Sequence, residues 1–156
     1  MRIVVLGIGN VLRGDDGFGV HVARELLIRS LPQGVKVIVG ELRPLACLED
    51  MEAADHLIIV DALDAGKPAG SAIRLTFTPS RLGNISPNDS ISPHGAGAFD
   101  LLKLLTRLGA SPHVTVIGCQ CGSATEGANL SPEVQRAVPE AVAAIEREIR
   151  RLTSPT

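Results

Sequence analysis

Residues 2–20 read R-I-V-V-L-G-I-G-N-V-L-R-G-D-D-G-F-G-V, and this stretch decides the fold. Ile3-Val4-Val5-Leu6 is apolar without alternation and rich in β-branched residues, the pattern of a strand buried on both faces. Gly7 and Gly9 permit a tight turn at its C-terminal end. Asn10 to Gly14 form a polar-flanked loop, and Asp15-Asp16 stand where a helix starts. Beyond them Val20, Ala23 and Leu27, with Val22 and Leu26, recur at helical spacing. Such a strand–loop–helix unit puts both carboxylates at the edge of an open α/β sheet where ligands bind.

A glycine-rich turn after a strand also opens dinucleotide-binding folds. Here Gly7-Ile8-Gly9-Asn10-Val11-Leu12 lacks the third glycine, and the loop is longer than that fingerprint. It delivers two acidic side chains where a pyrophosphate needs positive potential. The turn therefore reads as a device for presenting Asp15 and Asp16. A Rossmann-like nucleotide module, using Gly7, Gly9 and Glu41, stays as an alternative.

The same alternation continues outward along the chain. Val35 to Gly40 reads as a second strand ending at Glu41, and Arg43 to Ala53 as a short helix with Leu45, Leu48 and Met51. Leu57 to Asp61 is a third strand, four apolar residues closed by a carboxylate. Ala62 to Gly70 is too short for a helical crossover, so the fourth strand, Ser71 to Thr78, is expected to run antiparallel. Pro79 to Pro93 is irregular and reads as a surface loop. A helix follows with Leu101, Leu104, Leu105 and Leu108, ended by Gly109. Val114 to Gly118 is the last strand. Ser131-Pro132 reads as an N-cap followed by proline at the first helical position, with Pro139 restarting a helix that carries Val142, Ile145, Ile149 and Leu152. The whole is α/β: one domain over residues 1–156, five strands with helices on both faces, the fourth strand reversed.

Composition agrees with a globular chain of 156 residues: 45% hydrophobic, 21% charged, no Trp or Tyr, net charge −2. The core must come from Leu, Ile, Val and Ala. That charge, without a basic stripe, argues against nucleic acid as a partner. Arg147, Arg150 and Arg151 read as a solvated helix end. No apolar run approaches the roughly 20 residues of a membrane span, and the N-terminus does not read as a signal peptide. Cys47, Cys119 and Cys121 form an odd set that reads as reduced thiols, so a cytoplasmic location is expected; the chain is separately expected to be a monomer.

Three ionisable groups should converge at the C-terminal edge of the sheet: Asp16 after the first strand, Asp61 at the end of the third, and His94 before a helix. Two carboxylates and an imidazole suit a borderline divalent ion such as Ni²⁺ or Zn²⁺, with positions open for water or substrate. Each also has a structural reading. Asp15 reads as an N-cap; Asp16 complements a helix dipole; Asp61 enters a turn; His94 is a loop histidine. His21, His56 and His113 read as structural or solvated, and Cys119-Gln120-Cys121 as thiols without a metal role.

Gly7-x-Gly9-Asn10-x-Leu12-x-x-Asp15-Asp16-Gly17-x-Gly19, Ile59-Val60-Asp61-Ala62, Ser92-Pro93-His94, Val116 to Gln120 and Leu130 to Val134, in this order, resemble the nickel–iron hydrogenase maturation endopeptidases. The resemblance implies a protease that removes a C-terminal extension from the hydrogenase large-subunit precursor after nickel insertion. It implies a mixed five-stranded sheet in an α/β/α sandwich, with strand four antiparallel at one edge. Asp16, Asp61 and His94 match the family's metal-contacting residues, so they are the expected catalytic and metal-engaging set. The nickel would be supplied by the substrate, with no permanently bound metal. Glu41-Leu42-Arg43-Pro44 departs from the Asp-Gly-Gly-type turn that many members carry. A non-catalytic nickel-sensing maturation chaperone would use the same three ligands and differ only in turnover.

Overall fold

Ile3-Val4-Val5-Leu6 belongs to β1, Ile3–Ile8, and all six of its residues are buried. Alternate side chains of a strand point to opposite faces. Ile3 and Val5 join one apolar cluster, while Val4, Leu6 and Ile8 join another. A strand buried on both sides requires helices on both sides, so the lack of alternation dictates three layers. The computed structural model describes residues 1–41, 44–85, 97–122, 127 and 129–155. His94, Arg43 and the Ser92-Pro93 pair lie outside them.

The sheet also contains β2 (Val35–Glu41), β3 (His56–Leu63), β4 (Ala72–Phe77) and β5 (His113–Gln120), in the order β2-β1-β3-β5-β4. β1 runs parallel to β2 and β3, and β3 parallel to β5. β4 is antiparallel to β5 at the edge, as the short connection before it requires. Helices α1 (Phe18–Leu27) and α5 (Pro132–Thr153) cover one face. The other face carries α2 (Leu48–Ala53), α3 (Pro79–Leu82) and α4 (Ala98–Arg107).

Several local expectations are corrected. The segment before α2 is a 3-10 turn, Pro44–Cys47, so the helix starts later than its apolar spacing implied. The stretch from Pro79 opens with the turn of α3, capped by Thr78 Oγ1 accepting from the Arg81 N–H at 3.3 Å. Pro139 does not restart a helix: α5 runs unbroken through it. Pro139 and Gln135 are both exposed, so the Gln135 carbonyl that loses its partner faces water. The stripe of Val134, Val138, Val142, Ile145 and Ile149 is buried, and at about 1.5–3 kcal/mol per large side chain its burial outweighs one missing hydrogen bond. Leu27 and Leu108, assigned to apolar faces by spacing, are exposed, whereas Phe18, Val20, Val22, Ala23 and Leu26 of α1 and Ala98, Leu101, Leu102 and Leu105 of α4 are buried.

The contact that positions everything at the top of the sheet is α1 on β1 and β3. A Cβ on Gly19 would lie 2.2 Å from Val60 O and 2.5 Å from Ile8 O; one on Gly7 would lie 2.2 Å from Gly19 O. Two glycines thus let a helix touch two strand backbones directly.

At the opposite end a polar cluster is buried. Glu148 of α5 is 4% exposed. Its carboxylate accepts from Arg151 at 2.8 and 3.0 Å, from Arg74 Nη2 at 3.1 Å and from the Thr115 hydroxyl at 3.3 Å. Because Thr115 gives its proton to Glu148, His56 donates from Nε2 to Thr115 Oγ1, 2.9 Å away. His113 stacks on His56 with centroids 6.2 Å apart. Burial pushes the His56 pKa down, so the ring is neutral at pH 7. Arg147, Arg150 and Arg151 are exposed, as a solvated helix end requires, and Arg151 also anchors the Glu148 carboxylate.

Two predictions follow from this packing. Gly19→Ala should destabilise the protein by about 3 kcal/mol or more, read as a lowered urea midpoint, because its methyl would strike backbone that cannot rotate away. The arginine hydrogen bonds hold the Glu148 carboxyl down at about 2 against an ordinary 4.5. Its stabilisation is therefore present above pH 4.5 and is lost as pH falls toward 2. With the Arg74 and Arg151 side chains 47% and 63% exposed, that contribution is roughly 1–3 kcal/mol. Glu148→Gln should lower stability at pH 7 and flatten its decline between pH 5 and 3; an unchanged acid slope would remove Glu148 from that role.

Candidate active site

β1 and β3 are neighbours whose chain connections leave in opposite directions, toward β2 and toward the β4–β5 side. Such a switch point opens a crevice at the strand C-termini. β1 pairs with β3 only as far as Gly7↔Val60, whereas β3 continues beside β5 to Leu63. Asp61 is the first residue of β3 beyond its β1 partner. It lies within the strand and does not end it, and it is fully buried. Its Oδ2 accepts from the Ala98 N–H at 3.1 Å. Ala98 is the first residue of α4, and the N-cap Gly97 has no side chain to offer. Asp61 thus places a negative charge against a helix N-terminus, which favours it.

Asp16 arrives from the other side of the crevice. The loop from β1 enters a 3-10 turn, Gly14–Gly17, that packs against β3. Asp16 is 3% exposed, and its Oδ2 accepts from the Asn10 N–H at 3.0 Å. Gly9 has φ +133°, and a Cβ there would stand 2.0 Å from Asp16 O, so only glycine lets the turn close on itself. Asn10 Oδ1 accepts from the Leu12 N–H at 2.9 Å, and Asn10 O from the Arg13 N–H at 3.1 Å. Gly127 bridges the loop from outside, donating to Leu12 O at 2.9 Å and accepting from Gly14 N at 2.8 Å.

Asp15 does not cap its own helix, whose N-cap is Gly17. It is fully buried and points to the far side of the turn. Its Oδ1 accepts from Ser131 N at 2.6 Å; its Oδ2 accepts from Ser131 Oγ at 2.8 Å and Gly122 N at 2.8 Å. Ser131 is the N-cap of α5, as its sequence position implied, but its hydroxyl serves Asp15. Adjacent aspartates therefore have opposite duties. Asp15 ties the end of β5 and the start of α5 to the turn, while Asp16 stands at the crevice.

The third expected residue, His94, lies outside the described residues; in sequence it stands four residues before Ala98. Among the described residues no group of three or more His, Cys, Asp or Glu is assembled to hold a metal ion. Burial pushes the Cys119 thiol up to about 12 and raises those of Cys121 and Cys47. All three stay protonated at neutral pH, in line with their reading as reduced thiols. Burial, with Arg24 nearby, lowers the pKa of His21, which keeps it neutral inside α1. Glu41, the acid a Rossmann domain would turn to a ribose, is an exposed partner of Arg24 at 3.3 Å, and Gly7 is taken up by helix packing.

Reasoning from sequence missed Gln120. Its Oε1 accepts from Ala65 N at 2.7 Å and Lys67 N at 3.3 Å, and its Nε2 donates to Asp64 at 3.1 Å. It thereby orders the turn that follows β3. A lone Gln at a strand end carries no sequence signal for such a role.

Residues 20–148 match the family model described as hydrogenase maturation protease. The chain belongs to the hydrogenase maturation protease family. The matched span contains Asp61 and His94, and Asp16 precedes it. Relatives include the hydrogenase expression/formation protein HupD of Rhodobacter capsulatus, 34% identical over 96% of this chain and 71% of that one. The hydrogenase 2 maturation protease of Escherichia coli K12 is also 34% identical, over 91% and 87%. Among solved structures, the hydrogenase maturating endopeptidase HybD from E. coli superposes with a TM-score of 0.82 at 31% identity, covering 98% of this chain and 94% of that one. The maturation protease HycI from Thermococcus kodakarensis gives 0.76 at 26% identity, over 96% and 92%. Membership in this family makes the chain an endopeptidase of hydrogenase maturation, and the fold expected from the resemblance, with its antiparallel edge strand, is the one observed. Among the described residues no helix is long and apolar enough to cross a membrane.

The division between the aspartates is testable by stability alone. Asp15→Asn sets an amide NH₂ against donors, so it should cost about 2 kcal/mol, more than the exchange of one cap for another would. Asp16→Asn keeps an acceptor for the Asn10 N–H and should cost less than 1 kcal/mol. Urea unfolding of the two variants checks this; equal midpoints would dissolve the distinction.

Proposed function

We propose that this protein removes the C-terminal extension of a nickel–iron hydrogenase large-subunit precursor once nickel has been inserted, with Asp16, Asp61 and His94 engaging the nickel that the substrate brings. One observation carries the site assignment. Two buried carboxylates, one in the 3-10 turn after β1 and one in β3, belong to the two strands that flank the switch point, and each is oriented by a backbone N–H, from Asn10 and from Ala98. Hard oxygen donors with an imidazole suit a borderline divalent ion, and a fixed orientation is what a ligand needs before its ion arrives.

In this reading the substrate's nickel positions the scissile peptide and polarises its carbonyl or a water. One of the two carboxylates takes a proton from the water as it attacks the carbonyl carbon. The peptide C–N bond breaks, and the departing amine leaves with a proton. No resident cofactor is required, because the metal is part of the substrate. The acidic crevice disfavours a nucleotide phosphate there.

Incubation with nickel-loaded precursor should yield a shortened large subunit, and nickel-free precursor should stay intact. Asp16→Asn, Asp61→Asn and His94→Ala should each reduce cleavage at least a thousandfold while leaving the far-ultraviolet circular dichroism unchanged. Equal cleavage of loaded and nickel-free precursor would mean that the three residues do not read substrate nickel. Binding of loaded precursor without any shortened product would show a nickel-sensing chaperone and no protease.

A further inference from the structure

We propose that Leu12 is a docking residue for the substrate: an exposed aliphatic side chain, held on a stiff loop beside Asp16, that takes up an apolar side chain of the hydrogenase large-subunit precursor. The proposal rests on the endopeptidase reading and adds to it a specificity-determining contact outside the metal-engaging set. Leu12 is 67% exposed, whereas Asp15, Asp16, Gly17 and Phe18, which follow within six positions, are all buried. A lone exposed leucine is ordinary on a protein surface. Its backbone is what sets this one apart.

That backbone is pinned on both sides. The Leu12 N–H donates to Asn10 Oδ1 at 2.9 Å, and the Leu12 carbonyl accepts from Gly127 N at 2.9 Å. The flanking Arg13 N–H donates to Asn10 O at 3.1 Å, and Gly14 N to Gly127 O at 2.8 Å. The side chain therefore cannot fold back toward the core by a movement of its loop. It is held in water at a standing cost in hydrophobic free energy, which contact with an apolar partner would recover. The same Asn10 whose side chain holds Leu12 gives its own N–H to the Asp16 carboxylate. Leu12 and Asp16 are thus fixed to one residue. A substrate segment whose metal lies against Asp16 passes beside Leu12, and a preformed apolar contact there costs no ordering of the loop.

The test compares wild type with Leu12→Ser, Leu12→Met and a control, Ile28→Ser, which alters an 81% exposed residue at the end of α1. The measurements are KM and kcat for cleavage of nickel-loaded precursor, Kd for that precursor by rapid-mixing anisotropy before turnover, and Tm. Leu12→Ser should weaken Kd and raise KM about tenfold, equivalent to about 1.4 kcal/mol. Its kcat should stay within about twofold of wild type, and its Tm should not move. Leu12→Met should restore affinity, and Ile28→Ser should behave as wild type. Unchanged Kd in Leu12→Ser, or a loss matched by Ile28→Ser, overturns the proposal. If wild type binds precursor without cutting it, the endopeptidase reading fails, and the Kd comparison alone decides the role of Leu12. If wild type neither binds nor cuts it, both fall.

Discussion

The direct seating of α1 on the backbones of β1 and β3 is the constraint on which the rest of the molecule depends. Gly19 lies so close to Val60 O and Ile8 O that a methyl group has no place there, and Gly7 lies equally close to Gly19. Helix and sheet ordinarily keep a layer of side chains between them, and here that layer is absent at one point. The helix start is therefore lowered to the level of the strand ends. The 3-10 turn carrying Asp15 and Asp16 then packs against β3, and a carboxylate from β1's loop can share a crevice with one from β3.

Two adjacent aspartates illustrate how a tight turn sends neighbouring side chains to different partners. Successive residues of a 3-10 turn point about a third of a revolution apart. Asp15 faces β5 and α5 and satisfies the Gly122 and Ser131 donors, while Asp16 accepts from the Asn10 N–H of its own loop. The Asp15 bonds to Gly122 and Ser131 clamp the turn from the far side, so the Asp16 side inherits rigidity from bonds it does not make. Asn10 extends the same economy to the loop, since its main chain orients Asp16 and its side chain braces Leu12. The polar interior at the other end of the sheet, around Glu148, holds β4, β5 and α5 together without touching the chemistry.

Much of this was legible in the residues themselves. Apolar runs without alternation called for a sheet covered on both faces, and the nine residues between Leu57–Asp61 and Ser71 left no room for a helical crossover, so the fourth strand had to turn back. Asp16 and Asp61 were placed at one sheet edge because strand C-termini share it. The glycine just after the α4 C-cap, Gly109 with φ +79°, and the N-cap position of Ser131 ahead of Pro132 followed from local backbone preferences. These features depend on backbone sterics, side-chain period and chain length, all of which the sequence contains.

What only the tertiary structure decided depends on groups distant in the chain. Asp15 looked like an N-cap because local donors are the default partners of an aspartate, yet its partners lie 107 and 116 residues away. Arg151 is exposed, as a helix end implies, but its ion pair with Glu148 depends on how deeply that carboxylate is buried, which the helical wheel does not reveal. Pro139 looked like a helix boundary because proline removes a hydrogen bond, but apolar burial along the stripe of α5 was worth more than the bond. The sequence by itself determined which residues had to be inside and which chemistry stood at the strand ends. The packed molecule alone decided which of two neighbouring carboxylates would tie down the end of β5 and the start of α5, because that choice is made by the turn's rotation under contacts from those elements.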